Sequence, residues 1–142
     1  MGNVEHVAES RLRISEILDK EIEILGDSKK CIVGGFSQGA FMASIVWKKY
    51  KKTLGGLIIH SSSANRGTPV EEAQEFSPVF WSQGLDDCLF LYEHGIYHNM
   101  VLDNGKRKFV HVTREGLGHA VDKEIKIQAK TFIEDVMISA KL

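Results

Sequence analysis

Several things are scarce in this sequence, and each scarcity closes a class of function. Cysteine occurs only twice, at Cys31 and Cys88, too few for a disulfide framework, so a reducing, cytoplasmic setting is expected. Neither sign of charge dominates: 18 Lys and Arg stand against 19 Asp and Glu, a net charge of −1 that offers no electrostatic case for nucleic acid or an anionic membrane surface. No apolar run approaches the length of a membrane span, and no signal-peptide pattern is visible. The Met1-Gly2 start lacks the Ser or Thr that myristoylation wants at position 6, where His6 stands. Repeats and low-complexity linkers are missing too, so residues 1–142 read as one domain.

What is present is an ordinary globular composition, 43% hydrophobic and 26% charged. Residues 4–25 carry Ile14, Leu18, Ile22 and Leu25 at helical spacing, with Ile17 and Ile24 beside them, and Gly26-Asp27-Ser28 ends that helix. Lys30-Cys31-Ile32-Val33-Gly34 reads as a strand buried on both faces, followed by a helix over 38–52 with a basic end. Gly56-Leu57-Ile58-Ile59-His60, Pro78-Val79-Phe80-Trp81-Ser82 and Lys108-Phe109-Val110-His111-Val112 are further strands. Residues 89–102 read as helix interrupted by Gly95, and Asp103-Asn104-Gly105 as a turn. A closing helix over 123–138 places Ile125, Ala129, Phe132, Ile133 and Val136 on its apolar face. Alternating strands and helices predict an α/β fold: a parallel sheet of about four strands flanked by helices.

Chemistry is concentrated at Gly35-Phe36-Ser37-Gln38-Gly39, a G-x-S-x-G nucleophile elbow between the first strand and its helix. Such a turn is crowded, and the expectation is that Gly35 and Gly39 both remove a Cβ that would clash. A serine nucleophile needs a base, and the base an orienting carboxylate. In chain order Ser, Asp, His, the loop Gln83-Gly84-Leu85-Asp86-Asp87 offers two carboxylates, and Gly116-Leu117-Gly118-His119 offers the imidazole. All lie beyond the carboxyl ends of strands, where ligands bind in open α/β sheets. On chemistry alone, Asp86 and Asp87 are equal candidates.

Taken together, Gly34-Gly35-Phe36-Ser37-Gln38-Gly39, the Gly84-x-x-Asp87 loop and the Gly116-x-Gly-His119 loop resemble the acyl-protein thioesterase and carboxylesterase family, also called the phospholipase/carboxylesterase group. The resemblance covers nearly the whole chain and implies an α/β-hydrolase fold. It also implies a catalytic Ser37-Asp87-His119 triad, with Asp87 rather than Asp86, and an oxyanion contact from the backbone N–H of Gln38. Cys88 and Leu89 stand where the family usually has a proline soon after the aspartate, and Ser61 to Asn65 depart from its usual pattern. Met1 falls near the start of the helix before the nucleophile strand. The opening strands of a complete member, with the loop that supplies the other oxyanion donor, are therefore expected to have no counterpart, leaving a C-terminal portion of the fold.

The expected function is hydrolysis of a small acyl ester or thioester, with a lipidated protein as a further substrate class and no metal or cofactor. The competing expectation is a hydrolase-like scaffold that binds acyl chains or a partner protein without hydrolysis. A nucleophile strand at an open sheet edge predicts self-association. Elsewhere the plainer readings prevail: His94 and His98 on a solvated helix face rather than a metal site, His60 as a packed strand-end histidine, Trp47 as core.

Overall fold

Short apolar strands alternating with amphipathic helices must bury both faces of a sheet. The computed structural model, which describes residues 4–141, does this with four parallel strands lying in chain order. They are β1 (Ile32–Phe36), β2 (Gly56–His60), β3 (Val79–Gly84) and β4 (Phe109–Arg114). The register runs from Val33 to Leu57, from Leu57 to Val79 and from Val79 to Phe109. The helices are α1 (Val4–Leu25), α2 (Gln38–Lys49), α3 (Tyr92–Asn99) and α4 (Lys123–Lys141), with short 3₁₀ turns at Ser28–Lys30, Glu72–Gln74 and Met100–Leu102.

Successive strand residues point to opposite faces, which divides the core in two. Val33, Leu57, Ile59, Val79 and Trp81 pack with Leu18 and Ile22 of α1 and Ala40, Ala43, Val46 and Trp47 of α2. Ile58, Phe80 and Val112 pack with Ile125, Ala129, Phe132 and Val136 of α4. The Phe80 and Phe132 rings meet at 5.5 Å, and truncating a buried phenylalanine such as Phe132 to alanine costs about 3–5 kcal/mol.

Element ends follow local chemistry. Gly26, at φ +78°, caps α1 by donating its N–H to the Ile22 carbonyl at 2.7 Å. Asp122 starts α4 by accepting the Ile125 N–H on Oδ1 at 2.9 Å. In the turn before β4, Asn104 Oδ1 accepts the N–H groups of Lys106 and Arg107. Arg107 is buried, stacks over Trp47, and donates to the carbonyls of Gln74, Ser77 and Leu102.

Three expectations need correction. β1 is not buried on both faces: among the described residues it pairs with β2 alone, its Gly34 is exposed and Phe36 is 44% exposed. Gly95 does not interrupt a helix but lies inside α3, where a Cβ would collide with the Trp81 ring, so the glycine permits close packing. Ile133 sits at the margin of the α4 stripe and is 39% exposed, whereas Ile125, Ala129, Phe132 and Val136 are buried. Lys48, in the basic end of α2, is buried and donates to the Asn65 carbonyl.

Candidate active site

Ser37 stands between β1 and α2 at φ +57°, a left-handed conformation that is strained for a residue with a Cβ. The surrounding backbone holds it there. Its N–H donates to the His60 carbonyl at 2.9 Å, and its own carbonyl accepts from Ala40 and Phe41 at 3.0 and 3.2 Å. Gly35 makes the sharp turn possible, since a Cβ there would lie 2.5 Å from the Gly39 carbonyl carbon. Gly39 plays no matching part: a Cβ on it would meet nothing within 4 Å. Gln38 opens α2, so its backbone N–H is among those at a helix start that lack an intrahelical acceptor. The helix dipole favours negative charge at the same place.

Asp87 follows β3 and is buried, with its carboxylate fully out of solvent. Oδ1 accepts the backbone N–H groups of Leu89 and Phe90 at 2.9 and 2.8 Å. Oδ2 accepts from His119 Nδ1 at 2.8 Å and from Gln83 Nε2 at 3.0 Å. Burial pushes this carboxyl up, but the hydrogen bonds from His119, Phe90 and Leu89 outweigh it and hold Asp87 below the usual carboxylate range. Asp86 is exposed and engages through its backbone alone, its N–H donating to the Leu117 carbonyl. The structure therefore brings Asp87, and not Asp86, to the imidazole.

His119 lies in the loop between β4 and α4, and its side chain is 15% exposed. An ionised carboxylate can only accept, so Nδ1 carries the proton toward Asp87. That leaves Nε2 free to accept from Ser37 Oγ, 3.0 Å away. The ring sits against Phe36 at 4.8 Å and Phe90 at 6.5 Å.

Two further features position the loops. Gly84 lets them touch, and two backbone bonds lace them: Leu85 N–H to the Arg114 carbonyl and Asp86 N–H to the Leu117 carbonyl, both 2.9 Å. Ser61, buried at φ +53° just after β2, donates its hydroxyl to the Ala120 carbonyl at 3.3 Å. Neither Ser61 nor Gln83 was marked by the sequence as a site residue, and neither belongs to a motif that would have marked it.

The side chains of the other histidines described make their contacts elsewhere. His60 hydrogen-bonds Ser82 Oγ at 2.6 Å, and His111 stacks on Trp81 at 4.0 Å. His94 is exposed and His98 half-buried on α3. A shallow cleft of about 310 Å³, lined by Leu54, Phe76, Pro78 and Val136 among others, opens by the amino ends of the strands, away from Ser37.

Comparison with known proteins matches the sequence and the fold to a family. Carboxylesterase SOBER1 of Arabidopsis thaliana is 32% identical over 127 residues, covering 84% of this chain and 55% of that protein. The crystal structure of Arabidopsis SOBER1 shares the fold with a TM-score of 0.84 at 24% identity, over 95% of this chain and 66% of that one. Zea mays acyl-protein thioesterase 2 shares it with a TM-score of 0.60 at 21% identity, over 72% and 54%. The chain spans about half the length of the curated relatives it matches. The family model described as Phospholipase/Carboxylesterase matches residues 3–137, and the chain belongs to that family.

Proposed function

We propose that the chain is a serine hydrolase of carboxylic esters or thioesters. The observation that carries this is the continuous hydrogen-bonded chain from Asp87 through His119 to Ser37, at 2.8 and 3.0 Å. His119 Nε2 takes the Ser37 hydroxyl proton as Oγ attacks the acyl carbonyl carbon. Asp87 holds the imidazole tautomer and stabilises the imidazolium. The tetrahedral oxyanion forms at the start of α2, where the Gln38 N–H meets it. Collapse expels the alcohol or thiol, which leaves with the proton from His119, and an acyl-serine remains. Water, deprotonated by His119, then releases the acid and restores Ser37.

Acyl esters, acyl thioesters and lipidated proteins are the substrate classes of this reading, and the names of the carboxylesterase and thioesterase relatives support it. A cytoplasmic setting suits the free Cys31 and Cys88. Among the described residues no helix is long and apolar enough to cross a membrane. Self-association through the open side of β1 belongs to the same reading, since among the described residues that strand is paired on one side only. A monomeric mass by light scattering at micromolar concentration counts against it.

The test of the enzyme is covalent labelling by a fluorophosphonate, compared between the natural chain and Ser37→Ala, followed by a panel of esters and thioesters of increasing acyl length. Labelling that depends on Ser37 is expected. Its absence at neutral pH would sink the hydrolase reading and leave a non-hydrolytic scaffold.

A further inference from the structure

Gln83 is the penultimate residue of β3, on the same face as Trp81, and only 1% exposed. Its amide nitrogen donates twice, to Asp87 Oδ2 at 3.0 Å and to the Phe90 carbonyl at 2.8 Å. Both partners are acceptors, so only the NH₂ end of the amide can face them. The opposite end, Oε1, is buried and has no hydrogen-bond partner among the described residues. The amide thus turns both donors toward Asp87 and Phe90 and its acceptor end away from them.

Counting lone pairs shows what those donors do. A carboxylate offers about four acceptor positions. Leu89 and Phe90 occupy two at Oδ1, and His119 and Gln83 occupy two at Oδ2. The Asp87 carboxylate therefore cannot turn about its own axis without losing a bond, and the direction from Oδ2 to His119 is fixed. Gln83 is also neutral. A lysine or arginine in its place would offset the charge that the imidazolium needs, whereas an amide orients the carboxylate and leaves its charge in place. Through its second bond the same side chain ties down Phe90, whose ring lies 6.5 Å from that of His119 and only 15° from parallel.

We infer that Gln83 is a positioning residue for the proposed reaction, fixing the Asp87 carboxylate and the Phe90 wall so that His119 presents Nε2 to Ser37. This inference rests on the serine-hydrolase reading.

The test uses Gln83→Met, which keeps length without a donor, and Gln83→Leu, which keeps much of the volume and also lacks a donor. Two measurements apply to each: the fluorophosphonate labelling rate per folded molecule as a function of pH, and the His119 imidazole titration followed by NMR. With Q83M, labelling at neutral pH should fall on the order of 10- to 100-fold, the range seen when a catalytic group shifts by up to about 1 Å. Q83L should fall in the same range. In both, the acid limb of the rate profile and the His119 titration should move to higher pH, because carboxylate charge no longer shared with Gln83 holds the imidazolium more tightly. A purely structural glutamine would lower the melting point and leave both pH midpoints unmoved, and that result overturns the inference. Should Q83M fail to fold, Q83L carries the same comparison. Absence of Ser37-dependent labelling in the natural chain defeats the hydrolase reading instead, and the His119 titration then still decides whether Gln83 acts on the pair.

Discussion

The backbones of Gly84 and Leu117 stand so close that a methyl group on Gly84 would drive into the Leu117 carbonyl oxygen. The loop carrying Asp87 and the loop carrying His119 are therefore in register only while residue 84 has no side chain. In Gly84→Ala the loops must part. The expected outcome is a loss of about 1–3 kcal/mol in stability, typical of inserting a methyl group into filled space. Labelling of Ser37 should fall more steeply, on the order of 10²-fold per folded molecule. Thermal melts paired with labelling rates check this, and equal losses in both would contradict it.

The elbow glycines should separate cleanly. Gly35→Ala meets the Gly39 backbone at 2.5 Å, and the strand or the helix must shift, so about 1–3 kcal/mol should be lost. Gly39→Ala meets nothing within 4 Å and lies in the first turn of α2. It should be stabilising by up to about 1 kcal/mol, because alanine has less freedom to lose in a helix than glycine. Chemical denaturation of the two variants side by side is the measurement.

Asp87→Asn should leave the fold standing while removing the acceptor that sets the His119 tautomer. A loss of about 10⁴-fold in turnover is expected from the equivalent change in serine proteases. The natural carboxyl titrates lower when folded than when unfolded. Its contribution to stability is therefore complete above the unfolded carboxylate value of about 3.9 and drains away as pH falls through the folded one. Urea midpoints between pH 5 and 3 should decline less steeply for D87N than for the natural chain.

The histidines act in the next window up. Burial holds His60, His98 and His111 below the ordinary imidazole range, and at His98 the charges of Arg66, His94 and Lys48 add to it. Each binds a proton more readily in the unfolded chain. Stability should be at its plateau above pH about 6.5 and fall as the pH drops below it. Melting points from pH 7.5 to 5.5 test this, and His111→Phe, which keeps a flat ring against Trp81 and removes one titrating group, should show the shallower decline.

Much of this was legible beforehand for physical reasons that can be named. A nucleophile elbow needs glycine, serine and a strand-helix junction at fixed spacing, so Ser37 stood out. Loops at strand ends exposed His119 and the Asp86-Asp87 pair as its candidate partners, and only the family resemblance chose Asp87. Helical periodicity located α1 and α4 because a half-buried helix must alternate. Burial of β1 was misjudged because Ile32 and Val33 describe a strand's propensity, whereas its place in the sheet depends on which strands lie beside it. Gly95 was read as a break because nothing local records that Trp81 fills the space above it. Gln83 could not be found at all: a glutamine near a strand end is common, and its role exists only where the chain folds Asp87 and Phe90 back onto it.

The open edge at β1 has a consequence for how the molecule wears out. Asp87 and His119 sit on loops laced to one another, but Ser37 follows a strand whose ladder, among the described residues, runs along one side only. Heating should loosen that strand first, carrying the serine away from a base and acid that are still paired. Inactivation would then come some degrees before melting, and on cooling it would reverse without the core ever having opened.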